Sequence, residues 1–414
     1  MKAKNPKKTN SPLEKSKNNA SKPVENSRKK SQKTAKIFIL LGVLFGIGGV
    51  VLAIIPFFIP KTTETETIFP EIPTKKSDAI YSNLTGLALT SETEKTAPAY
   101  CVQTPNGMDG ARPQVGLNEA GVVFEAIAEA GITRFAAIYQ NPTSAVIGPI
   151  RSLRMYYLEW DTPFDCTIVH AGGAPDALQA VSSGKYRDLT ENYAYMYRGT
   201  AGVRRWNNLF TTSQYLAQFN ADKGYTSSNI NGFTRMTPEE SLKSRVDALA
   251  DEKLVIYEPS TGKTAGVTVK VPTVAVKFGG IASFNVRYNY DLESNTYLRS
   301  YENGVVHDVY SCPAENLGEK NPEAVCTLKQ LAPAVVAVIM VPEKKASDNY
   351  HEDITVLGSG NAYVFQNGTA VKGTWKKATD ADQIKFYTSD GSEIALAPGQ
   401  TFVEAVPTYG SVEY

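Results

Sequence analysis

The chain has 414 residues, of which 42% are hydrophobic and 10% aromatic. That is enough to bury the cores of two domains and it excludes whole-chain disorder. The net charge of +1 hides a partition: residues 1–36 hold twelve Lys/Arg against two acids, a net of +10, and the rest carries a net of −9. A mildly acidic globular part argues against nucleic acid as its partner, because phosphate binding needs a basic face.

Residues 1–36 are Lys, Asn and Ser with almost no large apolar side chains. This composition predicts a disordered basic tail, serving as a topology signal or as a contact for anionic headgroups. Residues 37–59 follow as 23 apolar residues without a charge. At 1.5 Å per residue they reach about 34 Å, enough to cross a hydrocarbon core of about 30 Å. The leader is too long and the apolar run too long for a cleaved signal peptide. The expected anchor is therefore a single transmembrane helix embedded in the lipid bilayer. Its Lys/Arg-rich side stays cytoplasmic, and everything after Lys61 lies outside the plasma membrane. Gly42 and Gly46 form a small-xxx-small pair, a route to a homodimer.

Residues 60–82 read as an extracytoplasmic stalk of Thr, Glu, Lys and Pro. Residues 83–235 then alternate strands and helices, a mixed α/β domain. AYCVQ is a short strand; VVFEAIAEA (122–130) and TRFAAIYQ (133–140) make a hairpin at Gly131. Ser152 is placed to cap a helix through about Asp161, with Leu153, Tyr156, Tyr157 and Trp160 on one face. DCTIVHAGG is a buried strand running into a Gly turn, PDALQAVSS a helix, and 212–219 another. Residues 236–262 are more charged and connect to a β-rich, mostly antiparallel domain at 263–408. Asn367-Gly368 and Asp390-Gly391 between alternating runs are strong hairpin signals there. The fold class expected is α+β.

Four cysteines in an exported region fit two disulfides. Cys312 and Cys326 bracket a polar loop whose closure is worth roughly 3 kcal/mol of chain entropy. Cys101 and Cys166 remain, as a second disulfide or as two buried thiols.

Unusual polar residues concentrate between 112 and 170. Glu125 and Glu129, four apart on a strand, are expected on one face with Ile127. Arg134 lies on the return strand, Arg151 and Arg154 flank the helix start, and Arg112 and Gln114 lie in the loop GARPQVGL. These arginines, with Glu129 and Ser152, make a candidate ligand-binding set for phosphate, carboxylate or acidic glycan. Alternatively they satisfy one another in an internal ion-pair network. Near a helix N-terminus the macrodipole disfavours Arg151 and Arg154 by a few tenths of a kcal/mol, so each needs a counter-charge. His170, at a strand end before Gly172 and Gly173, is the candidate general acid–base, with Glu125 the second catalytic candidate. His307 and His351 fall in polar, turn-like stretches. No G-x-S-x-G, H-E-x-x-H, Walker A or dinucleotide fingerprint occurs, and three His without a CxxC predict neither a metal nor a cofactor.

In these segments the chain resembles the YerB-like bacterial envelope proteins, the family of domain of unknown function 3048. The resemblance starts at LTGL (84–87) and runs through ARPQVGL, VVFEAIAEAGITRFAAIYQ, IGPIRSLRMYY and IVHAGGAP. It ends in YVFQNGTAVKGTW and APGQTFVEAVP. It implies an α/β first domain and a β-rich second one, with recurrent polar positions at Arg112, Gln114, Glu125, Glu129, Thr133, Arg134, Arg151, Ser152, Arg154 and His170. Two features depart from it. Many relatives look like lipoproteins, whereas this chain has no lipid-bearing Cys. Where relatives tend to have Pro-His-Asn, Trp206, Asn207 and Asn208 stand here. The function expected is an envelope protein binding a cell-envelope ligand or protein partner. The alternative is a hydrolase or transferase on an acidic glycan or phosphate-bearing envelope substrate.

Overall fold

The computed structural model describes residues 79–199, 207–250, 257–258, 263–264, 273–316 and 326–414. The tail, the expected membrane helix at 37–59 and most of the stalk lie outside the described residues. Among the described residues, no helix is long and apolar enough to cross a membrane. Residues 79–82, assigned to the stalk from sequence, already carry structure: Ile80 and Tyr81 pair with Leu89 and Ala88.

The first region supplies strands β1 (Ala99–Pro105), β2 (Val122–Glu129) and β3 (Ile132–Gln140), helix α1 (Met155–Asp161), strand β4 (Cys166–His170), helix α2 (Pro175–Ser182), strand β5 (Arg187–Thr190) and helix α3 (Ser213–Lys223). Helix α4 (Pro238–Ala250) occupies the connector. The second region supplies β6 (Thr273–Lys277), β7 (Val286–Asp291), β8 (Thr296–Tyr301), β9 (Asp308–Ser311), β10 (Thr327–Gln330), β11 (Val335–Val341), β12 (Glu343–Lys345) and β13 (Glu352–Ile354). It continues with β14 (Gly358–Gln366), β15 (Thr369–Lys377), β16 (Lys385–Tyr387), β17 (Thr401–Pro407) and β18 (Ser411–Glu413).

Two sheets dominate. Ten strands pair in the order β16-β15-β14-β11-β17-β2-β3-β1-β4-β5, and four in the order β8-β7-β6-β18. The large sheet is continuous across both sequence regions, because β17 pairs in parallel with β2 on one side and with β11 on the other. The described residues of both regions fall in one compact unit. The period-2 alternation of the central strands explains the layering. Val122, Phe124, Ala126, Val335, Ala337, Ile339, Val403 and Ala405 fill one core with α1 and α2. Their neighbours Ile127, Val336, Val338 and Val406 fill another against the four-stranded sheet. Val123 and Phe402 pack into a third with Leu216 and Phe219 of α3. Trp160 of α1 stacks on Phe124 at 5.3 Å, so Trp160→Ala is expected to destabilise by about 3–5 kcal/mol.

Three local expectations change. Glu125 and Glu129 do not share a face, because a β-bulge between Ile127 and Glu129 inserts a residue into β2 and reverses the alternation. Ser152 does not cap α1. The backbone of 151–153 is committed elsewhere, Arg151 N donating to Gln103 O and Leu153 N to Gly172 O. The helix starts at Met155, with Arg154 as a cap residue that gives no side-chain bond. The alternating run after Asp390-Gly391, SEIALA, forms no strand, only isolated bridges from Glu393 to Tyr387 and from Leu396 to Arg235. The hairpins at Gly131 and Asn367-Gly368 form as expected: Ala130, Gly131, Asn367 and Gly368 all have φ between 51° and 76°. Thr212 caps α3 through the Tyr215 amide. Both disulfides form. Cys101 and Cys166 join the adjacent parallel strands β1 and β4, and Cys312 pairs with Cys326.

Candidate functional site

The sequence-derived candidates separate into four places. The first is a polar network buried between the two sheets. Arg299 of β8 is wholly enclosed. Its Nη2 donates to Glu125 Oε2 at 2.6 Å and its Nη1 to Glu404 Oε1 at 2.8 Å. Nη1 also donates to the Tyr288 hydroxyl, which itself donates to Glu404. Its Nε donates to His307 Nδ1 at 2.8 Å. A guanidinium only donates, so His307 is the neutral tautomer with its proton on Nε2, which meets Gln114 Oε1 at 2.9 Å. Burial, then the charges of Arg299 and Arg112, push His307 well below its ordinary value. Glu125 Oε1 accepts from Asn106 Nδ2 and Thr133 Oγ1. Arg112 bonds Asn106 and lies over the Tyr301 ring at 3.7 Å. Burial and the Glu125 charge push Glu404 up to about 8, against the pull of Arg299.

The second place lies on the opposite face of the large sheet, where the bulge sends Glu129. Its carboxylate binds Arg134 Nη2 at 2.9 Å through one oxygen and Arg154 through the other. Arg134 also donates to the Ser152 carbonyl and Arg154 to that of Leu153. Burial raises Glu129, but the two guanidinium groups outweigh it and hold the carboxyl below its usual range. The internal network is thus the arrangement these two arginines adopt.

Arg154 borders a cavity of about 340 Å³ between α1, the start of α2 and residues 346–354. Carboxylates dominate its wall: Glu159, Asp176, Asp348, Glu352 and Asp353, with His351 beside Asp348 at 2.5 Å. Asp348 is also capped by the amides of Tyr350 and His351, and Glu352 is paired with Lys345. Glu159 is different: among the described residues it makes no side-chain hydrogen bond or ion pair. Burial, followed by Asp380, Asp353 and Asp176 and opposed by Lys377, pushes it up to about 7.

The third place holds Arg151. Its Nε donates to Asn207 Oδ1 at 2.8 Å, and Asn207 Nδ2 donates to Asp109 Oδ1 at 2.9 Å. Asn207 therefore clamps Arg151 where the resemblance leads one to expect a histidine. The fourth is His170, which ends β4 before Gly172 as expected but is wholly buried. Nδ1 donates to Gly172 O at 2.7 Å, and Nε2 meets Asp188 Oδ1 at 2.8 Å. Its partners come from β5 and the following turn, not from any of the arginines, and it presents no open surface for acid–base chemistry. Glu125 is equally enclosed.

Arg299, Glu404, Tyr288 and His307 were not among the sequence candidates. A signal was present for two of them: an arginine alternating with Tyr297 and Tyr301 in TYLRSY, and a glutamate inside the apolar run TFVEAVP, each needing a buried partner.

Residues 84–226 match the family model described as protein of unknown function (DUF3048), N-terminal domain, and residues 274–403 match that of its C-terminal domain. The chain belongs to the DUF3048 family. It is 25% identical over 354 residues to "Putative lipoprotein YerB" of Bacillus subtilis (strain 168), covering 85% of this chain and 92% of that one. The crystal structure of YerB protein from Bacillus subtilis superposes with a TM-score of 0.62 at 23% identity, over 81% of this chain and 100% of that one, a likeness of fold. The buried network draws on both DUF3048 regions. Glu125, Asn106 and Gln114 come from the first, Arg299, Tyr288 and His307 from the second, and Glu404 lies one residue beyond it.

Proposed function

We propose that this DUF3048 protein is a single-pass envelope protein whose family regions lie outside the plasma membrane and bind a cell-envelope ligand or partner in the groove beside α1. The apolar run at 37–59 behind a basic tail supports the anchoring, and so does the lipoprotein name of the similar YerB. Two disulfides fit an oxidising compartment.

The observation that carries the binding reading is Glu159, a partly buried carboxyl without a partner among the described residues, on the wall of a cavity. A concave surface lined by carboxylates raises the local concentration of cations and repels polyanions. Arg134 and Arg154, occupied by Glu129, shape the rim. The ligand class that fits is an amine-bearing envelope component, such as a peptide with a free amino group. The test uses the full chain in detergent with a fluorescent peptide carrying a free amine, beside the same peptide acetylated. The free amine is expected to bind and the acetylated peptide to bind at least tenfold more weakly. Glu159→Gln should remove the difference. Equal binding of both peptides, or none of either, contradicts the reading. A reporter active only outside the cytoplasm, fused after residue 96, should be active; a silent fusion refutes the orientation.

A further inference from the structure

Glu125 and Glu404 are Cα partners across the parallel pair β2–β17, and both side chains are fully buried. The oxygens of Glu125 are supplied with donors: Arg299 on Oε2, and Asn106 and Thr133 on Oε1. Those of Glu404 are not. Its Oε1 accepts from Arg299 and Tyr288, while Oε2 is buried without a donor. The two carboxyl groups sit on paired positions of adjacent strands and share the Arg299 guanidinium. Two fully buried carboxyl groups on one guanidinium, one of them with an oxygen that has no donor, are reconciled by a proton on the pair.

We propose that Glu125 and Glu404 hold one proton in common, and that this proton is a pH-sensitive fastening between the two DUF3048 regions. The charges around the pair leave room for one proton and no more. Arg299 from β8 is the cation bonded to both groups. Arg112 stands off, bonded to Asn106 and stacked on Tyr301. His307 is neutral because it accepts from Arg299. Tyr288 and Tyr301 complete the titratable groups facing the pair, and burial raises both of them, so they stay protonated. With the proton in place, Arg299 balances a single negative charge. When it leaves, two buried carboxylates face one guanidinium across the β2–β17 pairing, which is where the second region's last long strand joins the first.

The sign follows from proton counting. Glu404 titrates near 8 in the folded chain against an ordinary 4.5. The folded state holds a proton that the unfolded state has released, so its contribution is full in acid and is lost as pH rises through about 8.

The test compares the full chain in detergent with E404Q and E125Q. At about pH 7 the infrared difference between wild type and E404Q should show the carbonyl stretch of a protonated carboxylic acid, absent from E404Q. E125Q should lose the same band, because Glu404 alone against Arg299 ionises. Amide exchange on β2 and β17, corrected for intrinsic rates, should lose roughly tenfold protection in wild type between about pH 7 and 9, and hold in E404Q. No acid band in the wild-type difference, or a band that persists in E125Q, overturns the proposal. So does an E404Q exchange profile that follows wild type. If E404Q fails to fold, wild type against E125Q gives the same reading.

Discussion

Glu125 and Glu404 stand opposite one another on adjacent parallel strands, and one guanidinium, Arg299, serves both. The pairing places a fully buried cluster of charged side chains at the junction of the two family regions. Its energetics are those of a buried ion pair, in which desolvation offsets most of the attraction until one partner is removed.

Arg299→Met therefore leaves two carboxyl groups facing each other without a cation. It is expected to destabilise by about 3–5 kcal/mol in urea denaturation. Glu404→Gln keeps the hydrogen bonds from Arg299 and Tyr288 and leaves the same single negative charge beside Arg299, and should be tolerated to within about 1 kcal/mol. A mild Arg299→Met and a severe Glu404→Gln would reverse this account.

Arg134 and Arg154 share Glu129, so either one can hold it in the absence of the other. Arg134→Gln and Arg154→Gln are each expected to lower stability by about 1–2 kcal/mol. The double change should cost more than the sum, about 3–5 kcal/mol, because Glu129 is then stranded. Thermal melts of the three variants check the coupling; strict additivity would mean the arginines do not act through a common carboxylate.

Glu159 and Glu343 are both raised to about 7, first by burial and then by neighbouring carboxylates, with the Tyr409 hydroxyl opposing the rise at Glu343. Each binds a proton in the folded state that the unfolded state releases above 4.5. Their contribution is complete in acid and falls away as pH rises through about 7. His307 acts in the opposite sense: it stays neutral when folded, so stability is lost as pH falls below the ordinary 6.5. Above about pH 4.5 the two glutamates outweigh His307, so stability should peak near pH 4.5 and fall toward about pH 7, and Glu159→Gln should flatten that alkaline limb. Melting temperatures across this range check both limbs; an unchanged alkaline limb in Glu159→Gln would remove Glu159 from the account.

Reduction of Cys312–Cys326, or Cys312→Ser with Cys326→Ser, reopens a loop with a sequence separation of 14. A loss of roughly 3 kcal/mol is expected by denaturant titration.

Strands and helices with strong periodicity were legible in the sequence, as Val122–Glu129 and Pro175–Ser182 show. The joining of the two regions was not, because parallel pairing of β17 with β2 links residues nearly 280 apart and leaves no local signal. The bulge at Ile127–Glu129 is likewise invisible to a period-2 count, and it alone separates Glu125 from Glu129. Arg134 and Arg154 could be grouped from sequence because they follow one another closely around a hairpin and a helix start. Arg299 could not, since its partners lie on strands far away in the chain. His307 looked like a turn residue; its burial comes from Arg299, Gln114 and the rings of Phe135 and Tyr301.

That the two DUF3048 regions act as a single body is tested most directly by their unfolding. Trp160 lies in the first region and Trp375 in the second, both buried. Variants retaining only Trp160 or only Trp375 report on each region separately in urea. A sheet shared through β2 and β17 and fastened by Arg299 predicts that within each variant the fluorescence transition coincides with the circular dichroism transition of that same variant, with the same midpoint and slope. Two separated midpoints, with one region still folded while the other has melted, would contradict it.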